Sequence, residues 1–202
     1  MSTDLVCPDV YQWLCHLLKE VDGVTHQNRY ERRQRLDVAS EALPALLALL
    51  QGKGSFVHLS AISCVDWIAE GEFELVYHVW SYEMKVMVSA HIRIPREPGR
   101  YLSVYDIYKP AGFFERDIFE MYGIYFEGSP WMEKFILTEW DGPPPMRKEF
   151  DSEAWVNDHF DWQDYHPEWL NELEAQGGGI AIRSEEQRFS RKGHDFGKEP
   201  EA

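Results

Sequence analysis

Apolar side chains in the first fifty residues recur three or four positions apart, the spacing that gives a helix one apolar face. The pattern predicts a first amphipathic helix over about residues 8–20. It predicts a second helix that has Ser40 as its N-cap, carries Pro44 in its first turn and ends before Gly52. The apolar faces would consist of Val10, Trp13, Leu14, Leu17 and Leu18 in the first helix, and of Leu43, Leu46, Leu47 and Leu50 in the second.

From residue 56 to residue 95 apolar and polar side chains alternate, which is the period of a strand with one buried face. Turn residues at Glu70-Gly71 and at 82–85 divide this stretch into a meander of three antiparallel strands. Residues 35–39 could add a short strand. Helices beside such a meander predict an α+β fold with a small antiparallel sheet and flanking helices.

A third helix is predicted over about residues 110–122, with Pro110 in its first turn and Gly123 as its C-cap. Arg116 and Glu120 are i,i+4 neighbours on this helix and could form an ion pair, which would contribute only a few tenths of a kcal/mol if exposed. Paired acids on one helix could also serve acid–base chemistry. Because no nucleophile, basic partner or phosphate-binding loop accompanies them, the structural interpretation is preferred.

The chain beyond residue 137 is irregular in pattern and acidic, with 16 acidic and 7 basic residues between 138 and 202. Aromatic residues are scattered through it, a composition typical of a segment that becomes ordered against a partner. We therefore divide the chain into an α+β domain, residues 1–137, and an extended partner-binding tail, residues 138–202. The alternative is a final helix near residues 167–175 that packs on the chain's own domain.

Charge and composition exclude several classes of protein. Acidic residues outnumber basic ones 35 to 20, and a net charge of −15 repels nucleic acid. The longest apolar run, residues 42–50, is too short to cross a bilayer, so we expect no direct membrane insertion. The first four residues lack the basic start of a secretory signal. Three scattered cysteines, Cys7, Cys15 and Cys64, favour reduced thiols over a disulfide framework or a cluster site.

Motifs that bind cofactors are missing from the sequence, since neither the dinucleotide-binding nor the P-loop glycine pattern occurs. We therefore expect no cofactor in this chain and no catalytic residue. One cluster has the residue types of a metal site and would suit a stand-alone metal-dependent hydrolase, although such residues also accumulate in any acidic tail. The cluster consists of Asp158, His159, Asp161, Asp164 and His166. Isolated histidines in the predicted strands, His58, His78 and His91, are expected to be structural.

The stretch from Phe113 to Gly128 resembles the signature of the 30-kDa subunit of respiratory complex I. The residues that fit are Glu115, Arg116, Glu120, Met121, Tyr122, Gly123, Ile124, Phe126, Glu127 and Gly128. Downstream, residues 128–150 keep the order and spacing of the family's later motifs, so the resemblance spans about residues 10–151. The departures from the family pattern are Asp117, Ser129, Glu133, Pro143 and Asp151, and they leave open which branch of the family the chain represents.

This resemblance implies a non-catalytic scaffold subunit in the peripheral arm of an NADH:quinone oxidoreductase, whose electron transfer is coupled to ion translocation. Such a subunit packs against the 49-kDa-type subunit and neighbouring iron–sulfur subunits, on the cytoplasmic or matrix-equivalent side of the membrane. Flavin and iron–sulfur clusters would reside in those partner chains. The alternative is the equivalent subunit of a complex-I-related membrane-bound hydrogenase, with a nickel–iron site in a partner, or of another dehydrogenase.

The predicted partner interface combines the signature with the tail. Arg147 and Lys148 are expected to form salt-linked contacts with an acidic partner surface. Tail aromatics are expected to act as interface hot spots. The signature residues are Glu115, Arg116, Glu120, Tyr122, Gly123, Phe126 and Gly128, and the tail aromatics are Trp155, Phe160, Trp162 and Trp169.

Overall fold

A computed structural model of the chain describes residues 10–30, 32–137 and 140–159. The chain divides into two compact units, residues 1–155 and residues 156–202. Only residues 156–159 of the second unit are among those described, and the predicted helix at 167–175 lies outside them. Within the described ranges, no helix is both long and apolar enough to cross a membrane.

Both N-terminal helices form as their apolar patterns predict. Helix α1, Val10–Leu17, continues as a 3₁₀ turn to Glu20, and α2 covers Leu43–Gly52 with Pro44 near its start. The predicted N-cap is wrong, because Ser40 begins a separate 3₁₀ turn and α2 starts after Ala42 without a side-chain cap. The carbonyl of Ser40 instead accepts a hydrogen bond from the Tyr101 hydroxyl at 2.5 Å, which ties this turn to a distant part of the chain.

Five strands form the main sheet: β1 Val24–Tyr30, β2 Arg33–Val38, β3 His58–Trp67, β4 Glu72–Ser81 and β5 Val86–Pro95. Their order in the sheet is β1-β2-β5-β4-β3. The predicted meander is confirmed by the antiparallel pairs β3–β4 and β4–β5, and the predicted short strand corresponds to β2. Two features exceed the prediction, since β1 is an additional edge strand and β2 pairs with β5 in parallel.

The core lies where α1 and α2 meet the sheet. Opposed residues of β4 and β5 are buried together, as in the pairs Leu75–Ile92 and Val79–Val88. The buried leucines of α1 and α2 belong to the same apolar cluster. Burial of one helix face and one sheet face in a single cluster confirms the α+β class.

The C-terminal half of the first unit is built around a third helix. Helix α3, Ala111–Tyr122, matches the predicted range and packs against β3. Strands β6, Arg100–Leu102, and β7, Tyr125–Glu127, pair in parallel as a small second sheet on either side of α3 in the chain. A fourth helix, α4, covers Ser152–His159.

Candidate functional site

Gly123 ends α3 in the left-handed conformation, with a φ of +75°, and its N–H bonds the carbonyl of Phe119 at 2.9 Å. This confirms the predicted C-cap. A Cβ atom at this position would lie 3.0 Å from Cγ of Pro144 and 3.3 Å from Nη2 of Arg147. Glycine is therefore required twice, by the backbone conformation and by the close approach of a later segment.

Glu115 faces the interior from α3 and is fully buried. Its two carboxylate oxygens accept hydrogen bonds from the Ser103 hydroxyl at 2.7 Å and from the Val104 N–H at 2.8 Å. The Ser103 hydroxyl oxygen accepts in turn from the N–H of Tyr105 at 3.1 Å. Because a buried carboxylate needs such donors, Glu115 fastens the loop before α3 to the helix. The structure places this signature residue inside the fold.

Arg116 and Glu120 both bind the backbone of residues 131–137, which we call the strap. Arg116 Nε donates to the carbonyl of Glu133 at 2.9 Å, and its Nη2 donates to the carbonyl of Lys134. Glu120 accepts three backbone N–H donors, those of residues 135, 136 and 137, at 3.0, 2.6 and 2.9 Å. We call this pair of side chains the clamp.

The clamp corrects the predicted i,i+4 ion pair. Arg116 and Glu120 do lie on one face of α3, but no salt bridge joins the two side chains. Arg116 donates to two carbonyls of the strap, and Glu120 accepts from three of its N–H groups. One turn of α3 therefore satisfies five backbone groups of an irregular segment.

The clamp carboxylate is ionised at neutral pH. Burial alone would raise the pKa of Glu120, but the three backbone donors and the nearby Arg116 together hold that pKa below its ordinary value. Its neighbour Asp117 behaves oppositely, since burial and the charge of Glu120 raise the pKa of Asp117. The environment therefore shifts the pKa values of Asp117 and Glu120 in opposite directions.

A second polar cluster, which we call the latch, joins residues 147–149 to the sheet. Asp66 is 2% exposed and accepts two hydrogen bonds from Arg96, at 2.8 and 2.9 Å, and one from the N–H of Lys148 at 3.0 Å. Arg96 also binds Glu149. Hydrogen bonds from Arg96 outweigh burial and hold the pKa of Asp66 below its ordinary value.

Arg147 connects the latch to the C-terminal end of α3. Its Nε donates to the carbonyl of Tyr122 at 2.7 Å, at the helix C-terminus, where a cation is favoured. Its Nη1 lies 3.1 Å from a carboxylate oxygen of Glu97. The guanidinium of Arg147, predicted to meet an acidic partner, is thus directed to internal acceptors, whereas the Lys148 side chain is exposed.

Tyr122 and Phe126 also make contacts inside the fold, whereas Gly128 is exposed. The Tyr122 hydroxyl donates to the carbonyl of Cys64 at 3.1 Å, and its ring packs edge-on against Phe73. Phe126 is fully buried in β7, and Gly128 follows it with a φ of +89°. The signature therefore encodes how α3 joins the sheet, the strap and the latch.

The first part of the predicted tail belongs to the first compact unit. Trp155 stacks on Trp140 with ring centroids 4.3 Å apart, and Phe150 meets Trp140 edge-on. A Cβ on Gly142 would approach both tryptophans within 3 Å, so the glycine permits this stack. The other predicted hot spots, Phe160, Trp162 and Trp169, lie outside the described residues.

Metal and thiol chemistry find little support in the described ranges. No group of three or more His, Cys, Asp or Glu side chains there is arranged to hold a metal ion. Asp158 and His159 lie in α4, but the other members of the predicted cluster, residues 161, 164 and 166, are not described. Burial raises the pKa of the Cys64 thiol to about 12, and the charge of Asp66 adds to that shift.

Two of the sheet histidines have structural contacts, as their strand positions predict. His91 Nδ1 lies 2.8 Å from the buried carboxylate of Glu74, and His78 Nδ1 lies 3.0 Å from the Ser89 hydroxyl. Glu74 also accepts from the indole of Trp67 at 2.8 Å. These contacts satisfy polar groups on the sheet without a ligand.

Sequence reasoning missed Asp66, Arg96 and Glu149, which carry the latch. Their spacing of 30 and 53 residues from one another along the chain gives no periodic signal. The available hint was the position of Asp66 within an apolar strand, because a buried acid requires a cation or several donors. Ser103, the partner of Glu115, offered no comparable hint.

Comparison with known proteins agrees with the signature. A model of the family described as "Respiratory-chain NADH dehydrogenase, 30 Kd subunit" matches residues 36–155. The C-type subunit of the F(420)H(2) dehydrogenase of Methanosarcina mazei is 32% identical over 120 residues, which cover 59% of this chain and 76% of that protein. The C/D-type subunit of the NADH-quinone oxidoreductase of Phocaeicola vulgatus is 35% identical over 121 residues, covering 58% of this chain and 23% of that protein.

A solved structure shows the same architecture. A chain of the membrane-bound sulfane sulfur reductase, an archaeal respiratory membrane complex, superposes with a TM-score of 0.71 at 32% identity, covering 77% of this chain and 94% of that chain. The family match spans more than half of the sequence and includes α3, the strap and the latch. The chain therefore belongs to the family of the 30-kDa subunit of respiratory-chain NADH dehydrogenase.

Proposed function

We propose that this chain is a cofactor-free scaffold subunit in the peripheral arm of a complex I, an NADH:quinone oxidoreductase. It would pack against the 49-kDa-type subunit near the quinone-reducing region, on the cytoplasmic or matrix-equivalent side of the membrane. The observation that carries this proposal is the family match over residues 36–155, which includes every described element of the signature and the latch.

The state of the polar residues supports a structural role. The carboxylates of Glu115, Glu120 and Asp66 are each occupied by two or more internal donors. A general acid or base must have a face open to substrate. In this chain these three buried acids instead hold loops in position, as a scaffold requires.

The Phocaeicola relative supports a D-type partner. Its name combines a C type with a D type, and the match to this chain covers only 23% of its length. A protein that joins a C-type region to a D-type region in one chain keeps the two close together. We infer that this chain meets a separate D-type subunit, the 49-kDa type, in the same manner.

A second candidate is the equivalent subunit of a relative that does not use NADH. The Methanosarcina protein belongs to an F(420)H(2) dehydrogenase, and the superposed archaeal chain belongs to a sulfane sulfur reductase. Both are 32% identical to this chain, close to the value for the NADH-quinone oxidoreductase relative. A hydrogenase-type complex with a nickel–iron partner belongs to this same candidate.

Affinity purification from solubilised membranes tests both candidates. The tagged full-length chain should co-elute with a large complex that contains a 49-kDa-type subunit and iron–sulfur subunits. Visible absorbance should belong to those partners and be missing from the separated chain. Mass spectrometry then distinguishes an NADH-oxidising flavin module from an F(420)H(2)-oxidising or nickel–iron subunit. Recovery only as a stable lone monomer would contradict the scaffold role.

A truncation locates the contribution of the tail. A chain ending at His159 keeps the first compact unit and removes three predicted hot spots, Phe160, Trp162 and Trp169. We expect the truncated chain to remain folded and to bind its partner less tightly than the full-length chain. Replacing those three aromatics by serine in the full-length chain is the matched variant, because it removes the same side chains without shortening the chain. Elemental analysis of the full-length protein tests the lower alternative, a metal-dependent hydrolase, which requires a stoichiometric metal ion.

A further inference from the structure

Four large apolar side chains form one exposed surface on α3 and the strap, which we call the aromatic patch. Phe113, Trp131, Phe135 and Ile136 are 53%, 41%, 47% and 56% exposed. The rings are in contact, with centroids 5.7 Å apart for Phe113 and Trp131 and 6.4 Å apart for Phe113 and Phe135. Adjoining exposed aromatic side chains of this kind are typical of interaction sites.

The patch is held in place before any partner binds. The clamp fixes the backbone that carries Phe135 and Ile136, and the guanidinium of Arg116 lies 4.8 Å from the Phe135 ring centroid. Trp131 is seated on the bare backbone of α3, because a Cβ on Gly112 would lie 3.4 Å from its ring. A surface fixed in this way loses little conformational entropy on binding.

The patch is bordered by charges of both signs in a strongly acidic chain. Lys109 pairs with Asp106 and lies over the ring of Tyr105, which packs edge-on against Trp131. Glu133 and Lys134 precede Phe135 in the strap, and Arg116 lies over its ring. The net charge of the whole chain, −15, opposes the approach of an anionic membrane surface or of a second copy of this chain. The patch therefore suits a protein partner that offers an uncharged apolar recess.

We propose that the aromatic patch is the anchoring surface for the 49-kDa-type subunit, which would cover it with an apolar recess of low net charge. This inference rests on the proposed function and adds the residues that carry the contact. Trp131 and Phe135 are the central hot spots, since interface energy concentrates in fixed aromatic side chains. Arg116 and Glu120 act as positioning residues through the strap.

The test compares two double variants of the full-length chain. Trp131→Ser with Phe135→Ser removes the centre of the patch, and Ile68→Ser with Tyr82→Ser removes exposed apolar residues of the sheet region, 46% and 62% exposed. Binding to the purified 49-kDa-type subunit should weaken by about 30-fold or more for the patch variant and by less than about 3-fold for the control. Phe113→Ser leaves the strap sequence intact and should weaken binding about 10-fold, which separates lost contact from a disordered strap.

The outcomes separate this inference from the proposed function. If the wild-type chain enters a membrane complex and the patch variant binds equally well, the patch assignment is overturned and the scaffold role stands. Protection of Trp131 from oxidative footprinting in the isolated chain would assign the patch to an intramolecular contact and overturn the inference. Binding of the wild type to vesicles of phosphatidylcholine and phosphatidylglycerol, lost in the patch variant, would also overturn it. Protection of Trp131 only in the complex supports it.

Discussion

The sheet core and the segment from the strap to the latch are held by different forces. Opposed strand residues such as Leu75 and Ile92 are buried together and depend on apolar packing. The strap has exposed apolar side chains and depends on backbone hydrogen bonds to Arg116 and Glu120. Apolar packing tolerates the exchange of one apolar side chain for another of similar size. Replacing a charged hydrogen-bond partner by a side chain of different charge loses charge-assisted hydrogen bonds. The core therefore supplies stability, and the polar anchors determine which surface the chain presents.

Truncation in the core should give the largest loss of stability. Leu75→Ala leaves a cavity in β4, and we expect the free energy of unfolding to fall by about 2–5 kcal/mol. Urea titration followed by circular dichroism measures the loss. Val57→Ala is the control, because Val57 is 61% exposed and its truncation should change the free energy by less than about 0.5 kcal/mol. Equal effects at the two positions would contradict the placement of the core.

Neutralising the buried acid of the latch should have the next largest effect. Asp66→Asn removes the charge that faces Arg96 and weakens the bond to the Lys148 N–H, so we expect a loss of about 2–3 kcal/mol. The same urea titration measures it. Glu20→Gln breaks the exposed pair of Glu20 and Lys53 and should change the free energy by less than about 0.5 kcal/mol. A larger effect for Glu20→Gln would refute the ranking of buried over exposed pairs.

The clamp variant should act locally. Glu120→Gln replaces a carboxylate that accepts three N–H donors by an amide with a single acceptor oxygen, and we expect about 1–2 kcal/mol of local destabilisation. Hydrogen exchange of residues 135–137 should accelerate roughly tenfold while exchange in β4 stays unchanged. Asp117→Asn is the control and should leave the strap's exchange nearly unchanged, because the hydrogen bonds to the strap come from Arg116 and Glu120 and not from Asp117.

The smallest expected effect is the pH dependence of the difference in stability between wild type and Glu120→Gln. Because the pKa of Glu120 is lowered in the fold, its contribution is present above the unfolded-state value of about 4.3 and is lost as the pH falls through the folded-state pKa. The difference in stability between wild type and Glu120→Gln should therefore shrink on acidification. Amide chemical shifts of residues 135–137 should report the same transition, below about pH 4.3. A transition above that pH would show that burial, not the backbone donors, controls Glu120.

Local pattern predicted most of the elements and some of their ends. The helical spacing of leucines located α1 and α2, and Gly123 ended α3 as expected. Strand β1 escaped prediction because Val24–Tyr30 is mostly polar and forms the sheet edge. Ser40 has the residue type of an N-cap, but the 3₁₀ turn it begins ends before α2 starts. Type and spacing describe what a residue can do locally, and neighbours from elsewhere in the chain decide between the possibilities.

The candidate site divides in the same way. The signature identified the family, but it did not predict the contacts of its residues, since the partners of Arg116 and Glu120 lie 15 to 18 residues further along the chain. The interface role of the signature and tail stays a prediction. The patch of Phe113, Trp131 and Phe135 forms only because the folded chain places the strap against α3.

By itself, the sequence determined the α+β class, the meander, the glycine stop of α3 and the family. These features depend on short-range hydrophobic periods and on a local motif, and both involve residues that are close together in the sequence. Only the tertiary structure decided that β2 runs parallel to β5, that Asp66 and Arg96 hold residues 147–149, and that Glu120 binds the strap. The physical reason is that a charged group's stability depends on which donors the folded chain brings near it, and no spacing in the sequence encodes that choice.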